Sequence, residues 1–290
     1  METARLKRRV LAELAVFTAL AFAVTWLVVG AYIVWPHEAT ALMGPLALGQ
    51  PALYVAVYAP SVVAFALCFA HGGLQTVTRL ASAGLRWRAH WLWIALVVLG
   101  YPAFWLVWHA GAAIFAGDVA AFDFDPWLVA LPAIIISWQI LRDPGALGEE
   151  FGWRGYMLPR LLVLTNARNG ALVSGAIWAI WHLPAFYVSS LSQSQVNFPE
   201  FFLAVVGFSI MMTLVFVNTK GSVLWAGIVP HFLINATGRA GIPGEGWIFG
   251  LTALVLLLFA GKDLRFGAKP DYTPEDDVAP RVNTAAGVRS

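Results

Sequence analysis

The sequence predicts an all-α fold: a polytopic transmembrane helical bundle of about eight helices, with both termini cytoplasmic. Three observations carry this prediction. Hydrophobic residues make up 60% of the chain and charged residues only 12%, with a mean hydropathy of +0.73, whereas a soluble domain averages roughly 45–50% apolar and 25% charged. Apolar runs recur at close to the length of about 20 residues that a helix needs to cross a bilayer. Lys and Arg collect in alternate loops, as expected when one side of the membrane retains positive charge.

The first predicted span, 10–34, follows Arg5, Lys7, Arg8 and Arg9. That order imitates a secretory signal, but the apolar run exceeds the roughly 7–15 residues of a signal-peptide core, so the segment reads as an uncleaved helix. Further spans are expected at 51–70, 91–116, 126–142, 170–188, 200–217, 222–237 and 247–261. Pro36, Pro45, Pro51, Pro126, Gly221 and Gly244 punctuate their boundaries. Segment 145–165 is too charged for an ordinary lipid-facing span, and if it crosses fully, another segment must be re-entrant. The transmembrane domain thus covers 1–266. From Gly267 the apolar periodicity is lost, and 267–290 reads as a disordered cytoplasmic tail.

Orientation follows from the basic residues. With the N-terminus inside, the cytoplasmic side receives Arg5, Lys7, Arg8, Arg9, Arg79, Arg86, Arg88, Arg142, Arg160, Arg168, Lys220, Lys262 and Arg265. The opposite side receives Glu38, Asp118, Asp123, Asp125 and Glu245, with Arg239 as its single basic residue. This assignment sets the 145–165 segment near the cytoplasmic face. The net charge of +2 is spread over loops and forms no basic face, which argues against a nucleic-acid partner. Cys68 is the one cysteine, so no disulfide framework exists. Trp35, Trp87, Trp91, Trp127 and Trp247 lie near span ends and fit an interfacial belt, although simple packing accounts for any one of them. The partner the whole composition implies is membrane lipid.

Ionisable groups inside a membrane are costly and are usually paired or functional. Three sets stand out. In "GEEFGWRGYMLPRL", Glu150 and Arg154 are four apart and share a helical face, while Glu149 points about 100° away. A salt-bridged structural knot accounts for these three charges as well as a reactive Glu149 does. Gly148, Gly152 and Gly155 would let another helix approach. In "WAIWHLPAF", His182 follows Trp178 by one turn, and Pro184 should interrupt the helix and free a carbonyl. In "PHFLIN", His231 and Asn235 share a face, as a catalytic pair or as an interhelical hydrogen-bond clamp. His37, His71, His90, His109, Arg142, Asp143 and Glu200 read as span-end or packing residues. Together, the three sets supply what peptide hydrolysis requires: a base, a proton carrier and donors for an oxyanion.

The ordered motifs EExxxR, aromatic-xxx-His and HxxxN resemble the CPBP family of CAAX proteases and bacteriocin-processing enzymes, also called the Abi family. Here they read "EEFGWR", "WAIWH" and "HFLIN", within a core of about 145–240. Trp178 departs from the Phe usual in that family, keeping an aromatic wall of different shape. The resemblance implies an intramembrane endopeptidase opening towards the cytoplasm, acting on peptide or protein substrates, prenylated ones included. By motif position it implies that Glu149 and His182 activate a water and that His231 and Asn235 form the oxyanion hole. Glu150 and Arg154 would then hold the motif's geometry, with no metal and no other cofactor. It also implies an integral, multi-pass protein of a prokaryotic plasma membrane.

Three alternatives stay open at this point. Glu149, His182 and His231 could form a His₂Glu zinc site, although no HExxH occurs. A non-catalytic scaffold or bacteriocin-immunity protein would carry the same motifs. A transporter would also hold intramembrane carboxylates, but no repeated halves are visible.

Overall fold

In the computed structural model, residues 2–117, 144–239, 246–265 and 273–278 are described. Every regular element among them is helical. The long ones are α1 (Glu2–Val34), α3 (Pro51–Ala83), α4 (Trp91–Phe115) and, later, α8 (Phe198–Asn218), with the short α2 (Pro36–Met43) after α1. Within α1, α3 and α8 the stretches Thr3–Val34, Pro51–Ala83 and Phe198–Asn218 are long and apolar enough to cross a membrane. The protein is therefore an integral membrane protein built as a helical bundle. The predicted span 126–142 falls outside the described residues.

The span predicted at 51–70 is the first part of a longer element. α3 breaks at Gly72 and Gly73, and Gly73 takes φ +59, a left-handed conformation that glycine adopts at no steric cost. Thr76 Oγ1 spans the break, donating to the carbonyls of Cys68 at 2.5 Å and Gly73 at 3.0 Å. The chain beyond the break, with Gln75, Thr76, Thr78 and Arg79, is too polar to have extended the apolar run.

Segment 144–164 is helical throughout but changes pitch. α5 (Pro144–Glu150) passes into a π-helical stretch (Phe151–Met157) and then α6 (Leu158–Leu164). Most of its side chains are buried, which explains how a lipid bilayer tolerates its charges: protein, not lipid, surrounds them. Glycines make the enclosure possible. A Cβ on Gly152 would lie 2.6 Å from the Pro60 backbone, and one on Gly148 would lie 2.9 Å from the Val57 carbonyl, so α3 lies directly against the motif.

Downstream, α7 (Ala167–Trp181) packs on α8, and α8 on α10 (Gly246–Phe259). Between them a π turn (Leu224–Ile228) leads into α9 (Val229–Arg239). The helix expected to run to 188 ends at Trp181, where Leu183–Tyr187 continues as a 3₁₀ turn with Pro184 near its start. Proline interrupts the hydrogen-bond ladder there as its missing N–H requires.

Two findings add to the sequence reading. Arg160, counted above among the basic residues of the cytoplasmic side, is buried and pairs with Glu13 of α1 through Nη2 at 2.9 Å and Nε at 3.0 Å. It also donates to the Tyr156 carbonyl at 2.9 Å. Within the tail expected to be disordered, Pro274–Val278 forms a short helix, α11, docked on the bundle. The Val278 carbonyl accepts from Arg9 at 3.1 Å, Asp277 meets Arg86 at 3.3 Å, and the Val278 side chain packs with Val10 and Val163.

The Gly152 contact yields a stability test. Gly152→Ala must push α3 away and should destabilise the protein by about 1–3 kcal/mol, the usual cost of overpacking. Gly30→Ala, where nothing lies within 4 Å of the added carbon, should be neutral or slightly stabilising. Thermal unfolding of the two variants in the same detergent measures the difference.

Candidate active site

Glu149 and Glu150 close α5 and diverge, as adjacent helical residues must. Glu150 is fully buried, and its Oε1 accepts from Arg154 Nη1 at 2.8 Å across one turn. This is the pairing expected from the spacing. The same oxygen also accepts from His231 Nδ1 at 2.7 Å, which ties α5 to α9. Glu150 Oε2 lies against Gly227, where a Cβ would come within 2.6 Å. It has no hydrogen-bond partner among the described residues, and neither does Arg154 Nη2. Arg154 instead lays its guanidinium over the Trp178 ring, 4.2 Å from Cζ to the centroid, a cation–π contact in a dry setting.

Glu149, 3% exposed, has a different neighbourhood. Its Oε2 accepts from the Trp178 indole Nε1 at 2.6 Å. Its Oε1 faces His231 Nε2 at 4.0 Å, beyond hydrogen-bond distance. His231 therefore stands between the two carboxylates, bonded to one and beside the other, with Trp178 edge-on at 5.2 Å between ring centroids.

The helix end at Trp181 positions His182. Its Nδ1 donates to the Trp178 carbonyl at 2.9 Å, leaving Nε2 uncommitted to the backbone, and its ring is packed by Trp181 at 4.7 Å and Phe201 at 5.1 Å. Two residues that the sequence reading passed over hold this corner to α1. Trp181 Nε1 donates to Thr25 Oγ1 at 3.0 Å, and Trp26 Nε1 donates to the Trp181 carbonyl at 3.1 Å. Thr25 in turn donates to the Ala56 carbonyl at 2.7 Å. A hydroxyl in an otherwise apolar span was the available signal, and a membrane helix hides it by allowing the same group to bond to its own backbone.

The structure thus joins Glu149, Glu150, Arg154, Trp178 and His231 in one set of direct contacts, and His182 through Trp178. Asn235 lies one turn beyond His231 on α9, partly exposed. Arg160 meets Glu13, whereas Trp181 meets Thr25, about 18 Å further along α1. Only the end of the motif helix carrying Arg160 approaches the basic end of α1. Glu149 lies about 16 Å further back along that helix, because its chain runs opposite to α1.

Among the described residues no group of three or more His, Cys, Asp or Glu side chains is disposed to hold an ion. One nitrogen of each histidine and one oxygen of Glu149 are already engaged.

Removing Arg154 leaves Glu150 charged and buried with one partner fewer. Arg154→Ala should cost about 3–5 kcal/mol of stability. A double-mutant cycle with Glu150→Gln, followed by thermal unfolding, should show strong coupling between the two.

A family model described as type II CAAX prenyl endopeptidase, Rce1-like, matches residues 133–237. The match covers all three motifs and ends two residues beyond Asn235. No curated protein matches the chain.

Proposed function

We propose that this protein, a protease of the type II CAAX prenyl endopeptidase family by its residues 133–237, hydrolyses its substrate with a water activated by Glu149 and without a metal. The observation that carries this reading is the division of labour between the two glutamates. Glu150 is held by Arg154 and His231, whereas Glu149 keeps Oε1 free of any hydrogen bond from either of them. A base must have an oxygen available for the proton it takes.

The reaction runs as follows. Water, held by His182 through Nε2, gives a proton to Glu149 Oε1 as its oxygen bonds to the carbonyl carbon of the scissile peptide. The carbonyl oxygen becomes an oxyanion and accepts hydrogen bonds from His231 Nε2 and the Asn235 amide. A ring already donating Nδ1–H to Glu150 can donate from Nε2 only as imidazolium, and two carboxylates border it within 4.0 Å to balance that charge. The tetrahedral species collapses, the C–N bond breaks, and the proton on Glu149 passes to the leaving nitrogen. Preorganised donors aimed at the oxyanion act most strongly where water is scarce, and a deep, aromatic-walled site meets that condition.

Substrates are peptides or proteins brought to the membrane, and we include prenylated C-termini among them on the strength of the family. The resemblance to the CPBP pattern supports a prokaryotic plasma membrane as the setting.

Purified protein in lipid nanodiscs should cleave peptides from a library that includes farnesylated CAAX sequences. Glu149→Ala and His182→Ala should each lose about 10²–10⁴-fold in rate. His231→Ala and Asn235→Ala should lose about 10²–10³-fold, mainly in kcat. Chelators should leave the wild-type rate unchanged. Full activity in Glu149→Ala, or its loss on chelation, would sink the mechanism. A cellular phenotype surviving Glu149→Gln would favour the scaffold.

A further inference from the structure

Trp178 touches four residues of the site. Its indole N–H donates to Glu149 Oε2 at 2.6 Å, and its ring carries the Arg154 guanidinium at 4.2 Å. The ring also meets His231 edge-on at 5.2 Å, and its carbonyl accepts from His182 Nδ1 at 2.9 Å. The indole is almost fully buried, so these contacts hold its ring from several sides at once.

The consequence lies in the torsion that turns a carboxylate. Rotation about the last side-chain bond of Glu is broad and nearly two-fold, so an unrestrained carboxylate presents either oxygen in many orientations. A donor on Oε2 removes that freedom: it fixes the carboxylate plane and leaves Oε1 facing His231 Nε2. A phenyl ring in the same place could pack against Arg154 and His231 but could not fix the carboxylate, because it has no N–H.

We infer that Trp178 is a positioning residue that gives the two oxygens of Glu149 separate tasks, anchoring Oε2 through its indole N–H and leaving Oε1 as the oxygen that takes the proton from water. This inference rests on the reading of Glu149 as the base. The proton leaves water for Oε1 and goes on to the leaving nitrogen, while the Trp178 hydrogen stays on the indole throughout. The guanidinium of Arg154 acts at one remove, by holding the ring in the plane from which its N–H reaches Oε2.

Trp178→Phe is the test, since it keeps the ring and deletes the donor. With a farnesylated fluorogenic peptide in nanodiscs, kcat should fall about tenfold to hundredfold, the worth of one hydrogen bond to a charged group. KM should be unchanged, and the melting temperature should fall only in part, because a buried oxygen loses its donor while the fold is kept. A second readout needs no turnover. In protein labelled with ¹⁵N at indole nitrogens, the Trp178 resonance is identified by its absence from Trp178→Phe. It should lie downfield in the wild type and move upfield in Glu149→Ala. A folded Trp178→Phe protein with wild-type kcat overturns the inference, and so does a Trp178 resonance that stays in place in folded Glu149→Ala. The parent reading fails separately. If Glu149→Ala keeps wild-type activity while the resonance still moves, the hydrogen bond is real but serves no base, and the positioning role falls with the mechanism. If Glu149→Ala is inactive and Trp178→Phe is not impaired, only the positioning role falls.

Discussion

One oxygen atom organises this protein's interior. Glu150 Oε1 accepts from Arg154 on its own helix and from His231 on another, at 2.8 and 2.7 Å, with almost no solvent in reach. A carboxylate in such a place is tolerable only if its charge is met by hydrogen-bonded partners of opposite sign. That requirement draws the motif segment and α9 together and sets the orientation of the His231 ring. It also commits Arg154 to Glu150 and to the Trp178 face, leaving Glu149 without a guanidinium partner. The chemically interesting group is thus defined by what its neighbour has already taken.

The architecture around this pair serves to keep lipid away from it. Glycines on the motif helix bring the α3 backbone to within van der Waals contact, and Gly227 allows the carboxylate of Glu150 to sit against backbone. The π stretch (Phe151–Met157) lies between the glutamates and the rest of the helix and includes Arg154. Wide turns of this kind recur at functional sites because they redirect side chains without breaking the helix. Small residues, an altered pitch and buried charge are one solution to one problem, which is to hold ions where a bilayer would otherwise surround them.

Much of this was legible in the amino-acid order, and the exceptions have physical reasons. The spans around α1 and α8 announce themselves by length and apolarity, and the Glu150–Arg154 pair by its i, i+4 spacing. The full reach of α3 was hidden because its second half is polar, and only a glycine pair marks the break. The bond between Glu150 and His231 joins positions 81 apart in the chain, a distance no local periodicity encodes. Trp178 was read as a wall because its spacing reveals a face, whereas the direction of an indole N–H depends on a neighbouring helix. The Glu13–Arg160 pair was missed for the same reason: each residue alone fits a span end, and only their meeting makes them interior.

The two attachments of α1 have a mechanical meaning. The Glu13–Arg160 pair and the cluster of Thr25, Trp26 and Trp181 fasten the first helix at points about 18 Å apart. Sliding α1 by a single helical turn, about 5.4 Å, would break both fastenings at once. The first helix therefore acts as a splint of fixed register across the site. When the bilayer thickens or thins, the molecule is left to tilt as a unit or to deform the surrounding lipid. The carboxylates, the histidines and the tryptophan between them should keep their spacing in membranes of different thickness, and lipid composition should act on how substrate arrives rather than on how the site is built.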